Sequence, residues 1–215
     1  MNNASTEVKP ESGLLFIIAA PSGGGKTSLV NALLATDPKL ALSVSHTTRE
    51  PRRGETSGVQ YHFIDHDSFR EMVERGEFLE HAMVFGNFYG THKQALAEQL
   101  QQGLDVILEI DWQGAAQVRE IFPDSISIFI LPPSLDVLRQ RLSRRAQDSE
   151  TVIARRMRDA RSEISHWDEF DHLVVNQVFE DALEEIRSIV DSARRGESPR
   201  RCDYTDLLAE LLGNG

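Results

Sequence analysis

One stretch of the chain, residues 20–27, constrains the fold more than any other. It reads Ala20-Pro21-Ser22-Gly23-Gly24-Gly25-Lys26-Thr27 and begins at the end of an apolar run at 14–20. Apart from Ala20 in place of the first glycine, it matches the pattern of a glycine, four residues and Gly-Lys-Ser/Thr, in which backbone N–H groups surround a phosphate at the start of a helix. We expect Lys26 to reach the terminal phosphates and the Thr27 hydroxyl to bind Mg²⁺. The stretch predicts a nucleoside triphosphate site; the alternative, a glycine-rich turn with a chance lysine, is disfavoured by the strand and helix on either side.

Short continuous apolar runs alternate with helical patterns along the chain. Such runs are typical of buried strands in a parallel sheet, and strands that alternate with helices indicate α/β architecture. The predicted strands lie at 14–20, 106–110, 126–131 and 173–175, and the predicted helices at 26–36, 93–102, 112–120, 134–146, 150–165, 179–194 and 204–212. We therefore predict an α/β fold: a P-loop parallel sheet flanked by helices, with a helical arm near its C-terminal half.

The stretch from 43 to 90 has a different character. It contains many aromatic residues, several glycines and short alternating segments. This pattern predicts a small, mostly β insert, with one helix near 67–75.

The overall charge limits the class of partner. The chain has 215 residues and a net charge of −11, which makes it a poor general binder of nucleic acid or of an anionic membrane. Its apolar runs are shorter than the roughly 18 residues of a membrane span, its start lacks a signal-peptide pattern, and its single cysteine, Cys202, cannot form an internal disulfide. We expect a cytoplasmic protein with no nucleic-acid or membrane partner, and we leave open whether it forms a homo-oligomer.

Candidate residues within the insert indicate what receives a phosphoryl group. Arg49 and Arg52 flank a stiffening proline, and two guanidinium groups can hold one phosphate dianion; a solvated basic loop is the alternative. Glu80 is a carboxylate among apolar neighbours. A carboxylate can accept together from the N1–H and the exocyclic N2–H₂ of guanine, a pair that adenine lacks. Taken singly, such an acid is more often a surface residue. The polar-aromatic group that includes Glu80 also contains Tyr61, Tyr89 and Thr91.

Positive charge is concentrated at 139–161, where eight arginines stand against three acidic residues. Basic residues on a helix–loop–helix suggest an arm that closes over phosphates and excludes water, although several of them are expected to be solvated helix-face residues. We select Arg141, Arg145 and Arg156 for catalytic contacts.

Two acids follow the apolar run at 106–110. Glu109 and Asp111 are expected on one face, because strand side chains alternate, and they suit the second acidic element of a triphosphate site. An ordinary acidic strand end is the alternative.

Together these residues resemble the bacterial guanylate kinases, which are ATP:GMP phosphotransferases of the P-loop nucleoside monophosphate kinase family. The resemblance implies Mg²⁺-dependent transfer of the ATP γ-phosphoryl group to GMP, giving ADP and GDP. The matching stretches, in the family's order, are 20–27, 43–52, 78–82, 85–91, 111–114, 129–134 and 174–176.

The resemblance also implies how the chain divides and which residues act. A flexible N-terminal tail (1–12) precedes a P-loop core (13–44, 93–135 and 169–215), a GMP-binding insert (45–92) and a lid (136–168). The implied catalytic residues are Lys26, Arg49, Arg141, Arg145 and Arg156. The implied ATP-binding residues are those at 20–27 with Ser28 and Asn176, of which Asn176 would lie beside adenine. The implied GMP-binding residues are Ser45, Arg49, Arg52, Tyr61, Glu80, Tyr89, Gly90, Thr91 and Glu109. Thr27 would bind Mg²⁺, with Asp111 acting through a water molecule.

The sequence departs from the family at three places. Glu109 stands where the family usually has Asp, Ala146 where the lid usually has Gly, and Phe88 where Tyr is common. Three other functions remain as alternatives: a non-catalytic interaction scaffold, a P-loop GTPase or ATPase, and a kinase for another monophosphate. The intact P-loop disfavours the first, the insert disfavours the second, and Glu80 decides the third. A metal site at His62, His66, Asp65 and Asp67 is disfavoured because the stretch is typical of a strand followed by a helix cap.

Overall fold

The computed structural model describes residues 12–144, 150–197 and 204–213. In chain order its elements are β1 (Leu15–Ala19), α1 (Lys26–Leu34), β2 (Leu40–Leu42), β3 (His46–Thr47), β4 (His62–Phe63), α2 (His66–Glu74), β5 (Phe78–Val84), β6 (Asn87–His92), α3 (Lys93–Gln101), β7 (Asp105–Glu109), α4 (Trp112–Ile121), β8 (Ile126–Leu131), α5 (Leu135–Arg144), α6 (Glu150–Ile164), a 3₁₀ turn (Trp167–Glu169), β9 (His172–Val175), α7 (Phe179–Arg194) and α8 (Thr205–Leu212).

A five-stranded parallel sheet in the order β2-β7-β1-β8-β9 forms the main core. β1 lies at its centre, with Leu15 opposite Val106 and Phe16 opposite Ile126. Side chains of β1 alternate between two apolar layers, because successive residues of a strand point to opposite faces. Helices α1 and α7 contribute to one layer, and α3, α4, α5, α6 and α8 to the other. The loop after β1 thus opens at the carboxyl edge of the sheet, where open α/β sheets bind ligands.

A smaller sheet in the order β4-β3-β6-β5 is built from the aromatic-rich stretch. Its apolar centre is Phe69 of α2, which is 1% exposed and stacks on Phe78 at 4.5 Å and on Phe88 at 5.3 Å between ring centroids. Aromatic rings supply much buried area per residue, so a segment this short can still form its own core.

The predicted α/β fold is confirmed, and the predicted helices and strands agree with the structure to within a few residues. The sequence did not predict β2, which has only three residues. Residues 1–11 of the predicted tail at 1–12 lie outside the described residues, as do Arg145, Ala146 and Cys202. The division into core, insert and lid remains a prediction. None of the helices among the described residues is long and apolar enough to cross a bilayer.

Candidate nucleotide-binding site

The glycine-rich loop joins β1 to α1 through a tight turn that depends on its glycines. The Gly24 N–H donates to the Pro21 carbonyl oxygen at 2.8 Å. Gly25 precedes the helix at φ 94°, a left-handed conformation that favours glycine, and a Cβ there would meet the side-chain nitrogen of Asn176. That nitrogen, Nδ2, donates to the Gly24 carbonyl oxygen at 2.8 Å. Asn176 therefore supports the loop from a strand end; its contact with adenine remains a prediction.

The first turn of α1 contacts the end of β7. Lys26 Nζ donates to the Ile110 carbonyl oxygen at 2.9 Å, and the Thr27 hydroxyl donates to Glu109 Oε1. Thr27 and Ser28 are exposed at the loop. The Thr27 hydroxyl and the Glu109 carboxylate are hard oxygen donors of the type that Mg²⁺ prefers, so the residues present fit this ion.

Asp111 lies just beyond the end of β7, at the start of the next helix. β7 ends at Glu109, and Asp111 is the N-cap of α4, where its Oδ1 accepts from the Gly114 N–H at 3.0 Å. Its carboxylate also accepts from Gln113 Nε2 at 3.0 Å. Its backbone is still extended, with φ −90° and ψ 179°, and the shared face with Glu109 remains a prediction. A role for Asp111 through water remains a prediction.

Arg49 is held by a carboxylate that the sequence analysis missed. Arg49 Nη2 donates to Glu55 Oε1 at 3.0 Å and to Oε2 at 2.9 Å, while the Arg52 N–H donates to Oε2 at 2.7 Å. Burial works against ionisation of Glu55, but the Arg52 N–H and the Arg49 guanidinium hold its pKa below the usual range. The guanidinium lies 5.4 Å from the Tyr61 ring centroid. The only sequence signal for Glu55 was an acid inside a basic loop.

Tyr61, which lies beside Arg49, contacts Tyr89 with ring centroids 5.7 Å apart. Burial, together with the charge of Glu109, raises the pKa of Tyr61 to about 12. The phenol is therefore a neutral donor at physiological pH. Arg49, Tyr61 and Tyr89 each carry a hydrogen-bond donor; the phosphate subsite that the resemblance implies for them remains a prediction.

Glu80 lies on β5, the last strand of the smaller sheet, and is only 3% exposed. Thr91, opposite it on β6, donates from Oγ1 to Glu80 Oε1 at 2.7 Å. Burial, opposed by this hydrogen bond and reinforced by the charge of Asp111, raises the pKa of Glu80 to about 7. Ser45 is also buried, and Gly90 pairs with His46 on β3. A buried carboxylate of this kind gains most from a ligand that donates two hydrogen bonds to it.

Helices α5 and α6 bring arginines and one missed acid to the glycine-rich loop. Arg141 Nη2 donates to the Asn176 carbonyl oxygen at 2.9 Å, and Arg156 Nη2 donates to Ser22 Oγ at 3.4 Å. Glu163 Oε2 accepts from the Ser22 N–H at 2.9 Å, and burial raises the pKa of Glu163. No sequence pattern pointed to Glu163, because its partner lies 141 positions away.

The end of α6 is attached to α4. Trp112 and His166 stack with ring centroids 3.5 Å apart and an interplanar angle of 7°. Arg119 of α4 pairs with Glu169 of the 3₁₀ turn at 3.0 Å, and Glu169 Oε1 lies 2.5 Å from His166 Nδ1. These contacts join the base of the arginine-bearing helices to the helix that follows β7.

The histidines considered as metal ligands have other surroundings. His62 stacks on His46 at 4.6 Å, and Asp65 caps α2 by accepting from the Ser68 N–H at 2.8 Å. Burial, together with the charges of His62 and His92, lowers the pKa of His46 to about 4. Within the described part of the chain, no group of three or more His, Cys, Asp or Glu side chains could hold a metal ion.

Comparison with known proteins gives one consistent result. Residues 12–193 match the protein family described as guanylate kinase. The chain is 54% identical over 200 residues to a guanylate kinase of Methylobacillus flagellatus, covering 93% of this chain and 99% of that protein. It is 52% identical over 201 residues to one from Pseudomonas fluorescens, covering 94% and 98%. A crystal structure of guanylate kinase from Anaplasma phagocytophilum superposes with a TM-score of 0.72 at 34% identity, covering 93% of this chain and 95% of that one.

Proposed function

Because the chain belongs to the guanylate kinase family, we propose that it transfers the γ-phosphoryl group of ATP to GMP, giving ADP and GDP. It is an ATP:GMP phosphotransferase. The resemblance in the sequence had implied the same reaction.

The position of Glu109 carries the proposal. Its carboxylate contacts Thr27 at the loop that binds the triphosphate, and its charge acts on Tyr61 in the candidate GMP-phosphate subsite. One side chain thus contacts the donor loop and is close enough to the acceptor residues for its charge to act on Tyr61. Phosphoryl transfer needs this closeness, because the attacking and leaving oxygens must lie in line on opposite sides of one phosphorus atom.

The chemistry requires little beyond positioning and charge. A phosphate oxygen of GMP attacks the γ-phosphorus, a new P–O bond forms, and the bond to the bridging oxygen breaks as ADP leaves. Lys26, Arg141, Arg145 and Arg156 surround the transferring group in our proposal and stabilise its negative charge. To do this, Lys26 must exchange its bond to the Ile110 carbonyl for a phosphate oxygen. No protein nucleophile takes part.

Thr27 and Glu109 would hold Mg²⁺, with Asp111 acting through water. When bound, the ion supplies charge neutralisation at the β- and γ-phosphates. Arg49, Arg52, Tyr61 and Tyr89 bind the GMP phosphate. Glu80, supported by Ser45, Gly90 and Thr91, binds the N1–H and N2–H₂ donors of guanine. We assign GMP binding to 45–92, lid closure to 136–168 and the ATP half-site to the remaining core, and we place the reaction in the cytoplasm.

A coupled ADP-release assay tests the proposal. Purified protein is given ATP and Mg²⁺ with GMP, AMP, UMP or CMP in turn. Of the four monophosphates, we expect only GMP to give rapid ADP release. Release without any acceptor would indicate a hydrolase, preference for another monophosphate would overturn the Glu80 assignment, and no release with any of them would indicate a scaffold.

A further inference from the structure

A side chain of α4 hydrogen-bonds to the outer edge of the smaller sheet. β5 is the last strand in the sheet order, so its outer backbone groups face no further strand among the described residues. Gln117 of α4 lies against this edge. Its Oε1 accepts from the His81 N–H at 3.2 Å, and its Nε2 donates to the His81 carbonyl oxygen at 3.0 Å. The amide therefore satisfies both groups of one residue, as a neighbouring strand would.

His81 directly follows Glu80, the residue to which we assign guanine. Fixing both backbone groups of His81 also fixes the position of the preceding residue in the strand. The same helix restricts the Glu80 side chain itself, because a Cβ on Gly114 would lie 2.5 Å from Glu80 Oε2. Gly114 and Gln117 are three positions apart and so share one face of α4. That face sets both the location of the strand and the space available to the carboxylate.

α4 begins at the carboxyl edge of the main sheet, directly after β7 and its Glu109. A tether from α4 to β5 therefore fixes Glu80 relative to the triphosphate half-site. Guanine donates two hydrogen bonds to a correctly placed carboxylate, whereas hypoxanthine, which lacks the exocyclic amine, donates one. A carboxylate that shifts or rotates loses the second bond first, because hydrogen bonds weaken steeply with misalignment.

We propose that Gln117 is a specificity-determining positioning residue: its bonds to the His81 backbone hold Glu80 in the place that distinguishes guanine from hypoxanthine. The inference rests on the proposed function. It assigns to Gln117 no contact with substrate.

Three variants test it. Gln117→Leu removes both bonds at similar volume. Gln117→Glu keeps an acceptor for the His81 N–H but cannot donate to the carbonyl. Gln94→Leu is the matched control, because Gln94 is an exposed residue of α3 whose Nε2 donates to Glu98 Oε1 at 2.8 Å within the same helix. For each protein we would measure GMP and inosine monophosphate affinity by calorimetry, the kinetic constants for ATP and GMP, and thermal unfolding.

For Gln117→Leu we expect GMP affinity to fall about tenfold, the scale of one charge-assisted hydrogen bond. Inosine monophosphate affinity and the KM for ATP should change by less than about threefold. Gln117→Glu should show the same changes in affinity as Gln117→Leu, and Gln94→Leu should have the affinities of the wild type.

Several results would overturn the inference. If affinity for GMP and for inosine monophosphate falls equally, Gln117 has only a structural role. The same conclusion follows if the loss of affinity in both Gln117 variants parallels a loss of thermal stability. If the wild type phosphorylates GMP but Gln117→Leu keeps an unchanged affinity for GMP, the inference is refuted and the proposed function stands. A wild-type protein that does not phosphorylate GMP would refute the proposed function and the inference with it.

Discussion

Replacing Glu80 with glutamine should abolish a proton equilibrium that affects both the stability of the free protein and its affinity for GMP. In the free protein, burial raises the pKa of this carboxyl from 4.5 to about 7. Such a shift corresponds to roughly 3 kcal/mol of differential interaction between the two protonation states. Because the folded-state pKa is the higher one, the protonated carboxyl favours folding.

The direction of this pKa shift determines the pH range over which the stability of the protein changes. The stability contribution is fully present below pH 4.5 and is lost as the pH rises through about 7. Wild-type protein should therefore lose up to roughly 3 kcal/mol relative to Glu80→Gln between pH 5 and pH 8. Chemical denaturation of both proteins across this range measures the difference. Glu98→Gln, the same change on an exposed helix face, should follow the wild type.

GMP binding should show the opposite trend. Only the ionised carboxylate accepts from both guanine donors, so wild-type affinity should fall below pH 7 by at most about tenfold per pH unit, until it approaches the affinity of Glu80→Gln. The GMP phosphate also titrates near pH 6, and this contribution is removed by subtracting the profile of Glu80→Gln. At pH 8 the variant should bind GMP about 10- to 100-fold more weakly, with an unchanged KM for ATP. A stability difference that is flat from pH 5 to pH 8, or equal GMP affinity at pH 8, would refute the reasoning.

Three further substitutions test other contacts. Lys26→Ala should lower kcat by about 100-fold or more, because a preorganised cation is lost, with little change in the circular dichroism spectrum; normal turnover would exclude Lys26 from the reaction. Arg49→Ala should raise the KM for GMP about tenfold. An effect confined to the KM for ATP would show that Arg49 belongs to the ATP half-site and that our assignment is wrong. Asn176→Ala removes the bond to the Gly24 carbonyl oxygen and should raise the KM for ATP about tenfold; equal KM values would contradict a supporting role.

Four of the five strands of the main sheet could be predicted, because they are continuous apolar runs that differ from everything around them; the three-residue β2 is the exception. β1, β7, β8 and β9 each have such a run, and the glycine-rich loop follows β1 directly. The smaller sheet is different. β3 and β4 have two residues each and exist only through their pairing with distant residues, so periodicity could not locate them.

The residues of the candidate site also differ in whether the local sequence reveals them. The residues of the glycine-rich loop are adjacent in sequence, so their pattern could be recognised. Glu55 and Glu163 could not be found, because their importance depends on which donors the fold brings to them. Burial of Glu80 was equally unreadable from the sequence, since it results from the pairing of β5 with β6 and the packing of α4 on that pair.

The stacking of Trp112 on His166 has a practical consequence. His166 follows the end of α6, so a displacement of that end from α4 changes the contact between the two rings. The emission of an indole depends on the group in contact with its face. The chain has two tryptophans, so replacing Trp167 with phenylalanine leaves Trp112 as the only indole fluorophore. Stopped-flow fluorescence of that single-tryptophan protein, mixed with either nucleotide, would follow movement of the arginine-bearing helices in real time without an attached dye.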